Sequence, residues 1–417
     1  MDEREAFAKV REHLDKDELV ALCLELGNIP SPYGFEGEAG QAVFDWTERE
    51  GFGPRKVGLL SDRFNVVATL EGGDGGSLGF NSHLDTGRRG DNPWLLREPD
   101  RRYYHEAWID GDLIIGDGVI NDKGPMAAFL IAAKAIRDAG ITLGGDLHLT
   151  AVCGEIGMEP VDEYQGLNYQ SKDIGARYMI SHGPVIPDRV IVAEATSCKL
   201  VGLEAGKLHV KVTTFGHEVY TPYLGADRFE QNAILQMAGI LEPLNAWIAD
   251  YEASSPLDTP VGRCEPKVNI GAIRSGAPYR VTHTPEVCSI YLDVRLAPGQ
   301  PPAPVLRSLR KALADNDEVR VEPFLYRAGH VVADDRPLID GLGHAHHDVF
   351  GTEIEVNSGP TASMWRDINV FNEVGIPAVT YGPSRARNGL AVGVNIDEIF
   401  EVAQVYAASA IRICGVA

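Results

Sequence analysis

Gly79-Phe-Asn-Ser-His83-Leu-Asp85-Thr-Gly87 is the stretch from which the fold can be read. Ahead of it, Asn65-Val-Val-Ala-Thr-Leu70 alternates and is rich in β-branched residues, which predicts a strand; Ser77-Leu-Gly-Phe80 predicts a shorter one running into His83. His83 and Asp85 therefore fall where a strand stops, and in open α/β sheets ligands bind beyond the carboxyl ends of the strands. An imidazole beside a carboxylate is the pairing of a metal ligand with the group that orients it. Two further predicted strands end in the same way. Residues 147–153 run into Gly154-Glu155, and Val190-Ile-Val-Ala193 runs into Glu194. One acidic group at a strand end is ordinary, but three such ends with a histidine point to a shared site.

Outward from this stretch, helices alternate with the strands. Phe7, Val10, Leu14, Leu19, Leu22 and Leu26 recur at a helical period over residues 4–27, and residues 36–51 form a second amphipathic helix. A polar loop covers residues 88–102. Gly116-Asp-Gly-Val-Ile-Asn121-Asp122-Lys-Gly124 then leads into Pro125, a first-turn residue, and into a helix whose apolar face is Met126, Phe129, Leu130, Ala133 and Ile136. Asp122, at the start of that helix, reads as its cap. The order predicts a doubly wound α/β sheet. From residue 207 the rhythm changes to strand 207–215, helix 228–251, strands 267–273 and 288–296, helix 303–314 and strand 318–326. This β-α-β-β-α-β order is ferredoxin-like and reads as an inserted α+β domain over residues 207–327, within a first domain of residues 1–206 and 328–417. The first domain resumes with a helix over 340–350, the strand Ala378-Val-Thr-Tyr381 and a closing helix over 397–414.

The 417 residues carry 38 Lys plus Arg against 60 Asp plus Glu, a net charge of −22, which argues against nucleic acid and anionic membrane as partners. The six cysteines are scattered and form no Cys-x-x-Cys pair, which fits a reducing compartment rather than a disulfide framework. The charged start, Met1-Asp-Glu-Arg-Glu5, has no apolar signal region, and no apolar run is long enough to span a bilayer. The expectation is a soluble, cytoplasmic protein.

Ser82-His-Leu-Asp-Thr86, Gly116-x-Gly118 with Lys123-Gly124, Gly154-Glu155, Glu194-Ala-Thr196, Asn232-Ala-Ile234, Asp293-Val-Arg295 and Gly375-Ile-Pro-Ala-Val-Thr-Tyr-Gly-Pro383 together resemble the metallopeptidase family of aminoacylase, acetylornithine deacetylase, succinyl-diaminopimelate desuccinylase and carboxypeptidase G. The resemblance covers nearly the whole chain. It implies a zinc-peptidase-like α/β catalytic domain with an inserted ferredoxin-like lid, and a homodimer or higher homo-oligomer formed through that lid.

The family site holds two metals, and this sequence keeps part of it. By resemblance His83 is a metal ligand, Asp85 orients it, and Glu194 is the carboxylate of the same ion. Asn121 stands where the bridging aspartate is usual. Of the usual pair of glutamates one remains: ungapped spacing from Asn121 makes Glu155 the general base and Ile156 the lost ligand, whereas a shift of one residue makes Glu155 a ligand and Gly154 the missing base. Val394 replaces the last histidine ligand. Tyr220 stands where the lid offers a histidine to the partner's active site, with His217 nearby but out of register. Arg327 aligns with the substrate-binding arginine and Gly382 with a substrate-contacting glycine, although each also reads as a plain strand end or turn. The implied site holds one divalent transition metal per subunit, manganese or zinc, on His83, Asn121 and Glu194. The implied activity is hydrolysis of a C–N bond in a small molecule by metal-bound water, with an electron-poor aromatic amine such as 5-nitroanthranilate as the specific expectation. The alternatives are an N-acyl amino acid or dipeptide hydrolase and a non-catalytic binding protein of the same fold.

Overall fold

Parallel strands whose carboxyl ends lie side by side organise the first part of the molecule. The computed structural model describes residues 1–87, 101–314 and 318–417, so the predicted polar loop lies outside the described residues except at 101 and 102. The chain divides into two units, one of Met1–Gly202, Val332–Asn357 and Arg366–Ala417, the other of Leu203–Val331 and Ser358–Trp365.

The first unit is built on a six-stranded sheet in the order Arg55–Leu60, Arg63–Leu70, Leu147–Val152, Leu78–His83, Arg189–Ala193, Ala378–Tyr381. The last four of these run parallel, and the first two are antiparallel additions at one edge. Leu78–His83 and Leu147–Val152 are buried along their whole length, as expected of strands covered on both faces. Register pairs His83 with Val152 and Asn81 with Val192, so the segments after the three central strands leave the sheet at one level. The central strand lies between the two that follow it in sequence, and this places the topological switch at His83.

Helix Gly124–Asp138 begins with Pro125 in its first turn and is buried on almost every side. The predicted helix over 4–27 is two helices, Glu3–His13 and Lys16–Gly27. Asp15 breaks it by accepting from the backbone N–H groups of Asp17 and Glu18, a side-chain cap that outweighs the continuing apolar period. In the same way Asn232 splits the predicted helix over 228–251 into Arg228–Gln231 and Ala233–Ser254.

The second unit is a four-stranded antiparallel sheet in the order Val268–Ser275, Val287–Leu296, Gly206–Phe215, Arg320–Arg327. Helices Ala233–Ser254 and Pro302–Ala312 cover it, and their apolar faces share one core with the sheet through Leu208, Val210, Met237, Ile240, Leu292 and Leu309. This is the ferredoxin-like arrangement. The unit also takes in Ser358–Trp365, where Trp365 Nε1 donates to the Ala328 carbonyl at 3.0 Å and Ser363 Oγ to that of Glu265 at 2.8 Å. All six cysteines are free. Among the described residues no helix is long and apolar enough to cross a membrane.

Candidate metal centre

His83 ends the central strand and is 1% exposed. Its Nδ1 lies 2.8 Å from the backbone carbonyl of Asp85. A carbonyl oxygen only accepts, so Nδ1 carries the hydrogen and Nε2 is left to bind a cation. Nε2 faces Asp122 Oδ2 at 3.8 Å and Glu155 Oε2 at 3.9 Å. The ligand atoms of His83, Asp122 and Glu194 all lie within 4.8 Å of one another, and all three residues are buried.

The carboxylate of Asp85 has another task. Its Oδ1 accepts from the N–H of Glu155 at 3.0 Å and its Oδ2 from that of Ile156 at 2.7 Å. Asp85 thus fixes the backbone of the loop after Leu147–Val152 while its own carbonyl fixes the imidazole. Its side-chain carboxylate stands 3.6 Å from His83 Nδ1. Burial, against the opposing pull of His83, raises its pKa to about 7.

Asp122 does not cap a helix. The helix that starts at Gly124 has no side-chain cap bond, and Asp122 sits in a non-helical turn at φ −143° and ψ 19°. Its Oδ2 is 3.3 Å from Ser82 Oγ, while its buried Oδ1 has no hydrogen-bond partner among the described residues. A buried carboxylate oxygen without a donor is costly, and a bound cation would satisfy it. Asn121 beside it is half-buried. Glu194 follows the strand Arg189–Ala193, and its Oε2 lies 3.5 Å from Arg366 Nη1.

The electrostatics favour positive charge here. Burial works against a charged imidazole, but Asp122, Glu155, Asp85 and Glu194 outweigh it and raise His83 to about 10. Burial and the neighbouring Glu194 push Asp122 well above the usual carboxylate range. One imidazole and two carboxylates suit a zinc or manganese ion, and the residues present fit such a group.

The positions expected to have lost a second ion's ligands are engaged otherwise. Val394 is fully buried in the strand Ala391–Asn395, paired with Ile114, and Ile156 has its N–H on Asp85. Gly382 lies against the Glu194 carbonyl, where a Cβ would stand 2.4 Å from that oxygen; its N–H donates to Thr196 Oγ1 at 3.0 Å. In the second unit, Arg327 ends the strand Arg320–Arg327 opposite Lys207. Tyr220 there is 46% exposed and stacks on His283 with ring centroids 5.2 Å apart.

Lys172, Asp367 and Arg366 belong to the site's surroundings and carry no mark in the sequence. Lys172 pairs with Glu155 and, at 3.0 Å, with Asp367. It lies in a polar stretch without periodicity, and only chain closure in space brings it to the strand ends.

The chain is 26% identical to N-formyl-4-amino-5-aminomethyl-2-methylpyrimidine deformylase of Bacillus subtilis over 95% of its length and 94% of the relative's. It is 27% identical to acetylornithine deacetylase of Vibrio cholerae over 61% and 60%. Among solved structures it superposes on the Bacillus subtilis YXEP protein, described as a dinuclear metal binding peptidase, with a TM-score of 0.61, 14% identity and coverage of 96% and 98%. The sequence model of peptidase family M20/M25/M40 matches residues 79–412. With that match over most of its length and a cation site at its strand ends, the chain belongs to peptidase family M20/M25/M40 and is a metal-dependent hydrolase acting on C–N bonds.

Proposed function

We propose that the chain hydrolyses the amide C–N bond of a small N-acyl compound, of the N-acyl amino acid or dipeptide kind, with one divalent ion held by His83, Asp122 and Glu194. The observation that carries this reading is the convergence of those three side chains around the unsatisfied Oδ1 of Asp122. It gives Asp122 the ligand role that spacing suggests for Asn121. When bound, such an ion supplies a Lewis acid that lowers the pKa of a coordinated water toward neutrality. Glu155 is the general base: it takes a proton from the attacking water and returns it to the departing nitrogen as the C–N bond breaks, leaving a carboxylate and an amine. Asp85 holds Glu155 by its backbone N–H and His83 by a carbonyl. The names of the deformylase and deacetylase relatives support an N-acyl substrate.

A second reading, deamination of an electron-poor aromatic amine such as 5-nitroanthranilate, is favoured by Ile156 and Val394. Without a second ion the polarisation of an amide carbonyl is weaker, whereas an electron-poor ring takes up the charge itself. One assay separates the two. N-formyl and N-acetyl amino acids, dipeptides and nitro-substituted aminobenzoates are offered to metal-loaded protein, and release of amine or ammonia is followed. Turnover of N-acyl compounds or dipeptides is expected; turnover of the aromatic amines alone would reject the amide reading. Arg327 and Gly382 remain proposed substrate contacts. The lid is proposed to form a homodimer in which Tyr220 of one chain serves the site of its partner.

A further inference from the structure

Lys172 is 2% exposed, and its ammonium lies between two carboxylates, those of Glu155 and Asp367. Asp367 is itself anchored. Its Oδ2 accepts from Asn81 Nδ2 at 3.0 Å, and Asn81 stands two residues before His83 on the central strand. The two oxygens of Glu155 are thereby divided: Oε1 meets Lys172, and Oε2 faces His83 Nε2 at 3.9 Å.

A backbone feature brings the lysine to this place. Gly154 has φ +67°, and a Cβ on it would stand 2.6 Å from the carbonyl oxygen of Ser171. Ser171 Oγ in turn donates to the Gly154 carbonyl at 3.3 Å. A side chain at 154 and the segment carrying Lys172 cannot share that space. Gly154, having no side chain, leaves the room in which the segment carrying Lys172 comes beside Glu155. The charges agree in sign: an ion on His83, Asp122 and Glu194 leaves the carboxylates of Glu155 and Asp367, and Lys172 contacts both and offsets one of their two charges. Burial opposes the charge on Lys172, but Asp367 and Glu155 outweigh it and hold its pKa above the ordinary lysine value.

We infer that Lys172 is a positioning residue for the hydrolysis, whose buried ammonium holds Glu155 with Oε2 turned to the metal ligands and supplies the positive charge that a second ion would otherwise bring. The inference rests on the reading of Glu155 as general base. A double-mutant cycle in the full-length, metal-loaded protein tests it, with Lys172→Met, Glu155→Gln and the double variant. Metal per chain, kcat and KM are measured with the fastest substrate of the panel above. Glu155→Gln is expected to lower kcat by about 10²–10⁴ with metal retained. Lys172→Met is expected to lower kcat by roughly 10–10², with KM within about threefold and metal unchanged, because it acts through the base. The double variant is then no slower than Glu155→Gln by more than about threefold. Losses that multiply, or a Lys172→Met enzyme within about threefold of the parent, overturn the inference and leave the base in place. A Glu155→Gln protein that stays fast or sheds its metal overturns the base and the inference with it. Should Lys172→Met fail to fold, Lys172→Gln, which keeps donors for both carboxylates, is judged by the same cycle.

Discussion

Asp122 carries two observations that a structural aspartate does not need: full burial, and an Oδ1 with no hydrogen-bond partner among the described residues. Ser82 Oγ stands beside its Oδ2, and His83 Nε2 is 3.8 Å away. Asn121→Ala is therefore expected to leave metal content nearly unchanged, whereas Asp122→Asn weakens metal binding at least about tenfold, since a neutral amide replaces a carboxylate ligand. Equilibrium dialysis against manganese and zinc, read by elemental analysis, checks the pair, and the reverse ranking would return the ligand role to Asn121. His83, Asp85, Glu155 and Glu194 were legible because each stands where a predicted strand stops. The choice between Asn121 and Asp122 was not, because both precede the same helix and the non-helical angles of the turn decide which one is buried. Lys172 was not legible at all, for the reason that its neighbours Glu155 and Asp367 are 17 and 195 residues away.

Among the elements, the strands that end at the site were legible, whereas the sheet-edge strand Arg55–Leu60 and the strand Ala391–Asn395 were not predicted. Ala378–Tyr381 falls where its apolar run puts it, and Gly206–Phe215 begins one residue before its predicted start. The two long helices each came out broken, because a short polar side chain inside an apolar period caps a new helix, as Asp15 and Asn232 do. The edge strand of the second unit, Val268–Ser275, is half-exposed or exposed along its whole length. It presents Ile270 and Ile273, the latter 61% exposed, and Tyr279 and Val281 follow it at 92% and 79%. An unpaired edge bearing apolar side chains invites another strand. The proposed lid dimer thus predicts that Ile273→Asp shifts the protein toward monomer at micromolar concentration in analytical ultracentrifugation and lowers activity with it. Tyr220→Phe should slow turnover and leave the dimer intact. A parent protein that sediments as a fully active monomer would contradict the dimer and the role given to Tyr220.

For the molecule as a whole, the family match over residues 79–412 makes it a hydrolase of C–N bonds but does not count its metal ions. A count of one is proposed from the chain's own residues. One group of histidine and carboxylate side chains converges among the described residues, and it comprises His83, Asp122 and Glu194. Val394 lies buried in a strand pair, and Ile156 stands where the second carboxylate beside Glu155 is lost, its N–H bonded to Asp85. Lys172 supplies charge there instead. A site of one ion is therefore predicted where the structurally similar YXEP protein is described as dinuclear. Stripping the purified protein with a chelator and titrating manganese or zinc back, while following both bound metal per chain and the rate on an N-acyl amino acid, tests this directly. Full activity at about one ion per chain is the predicted result; activity that rises only as a second ion binds, or that survives with none, would contradict it.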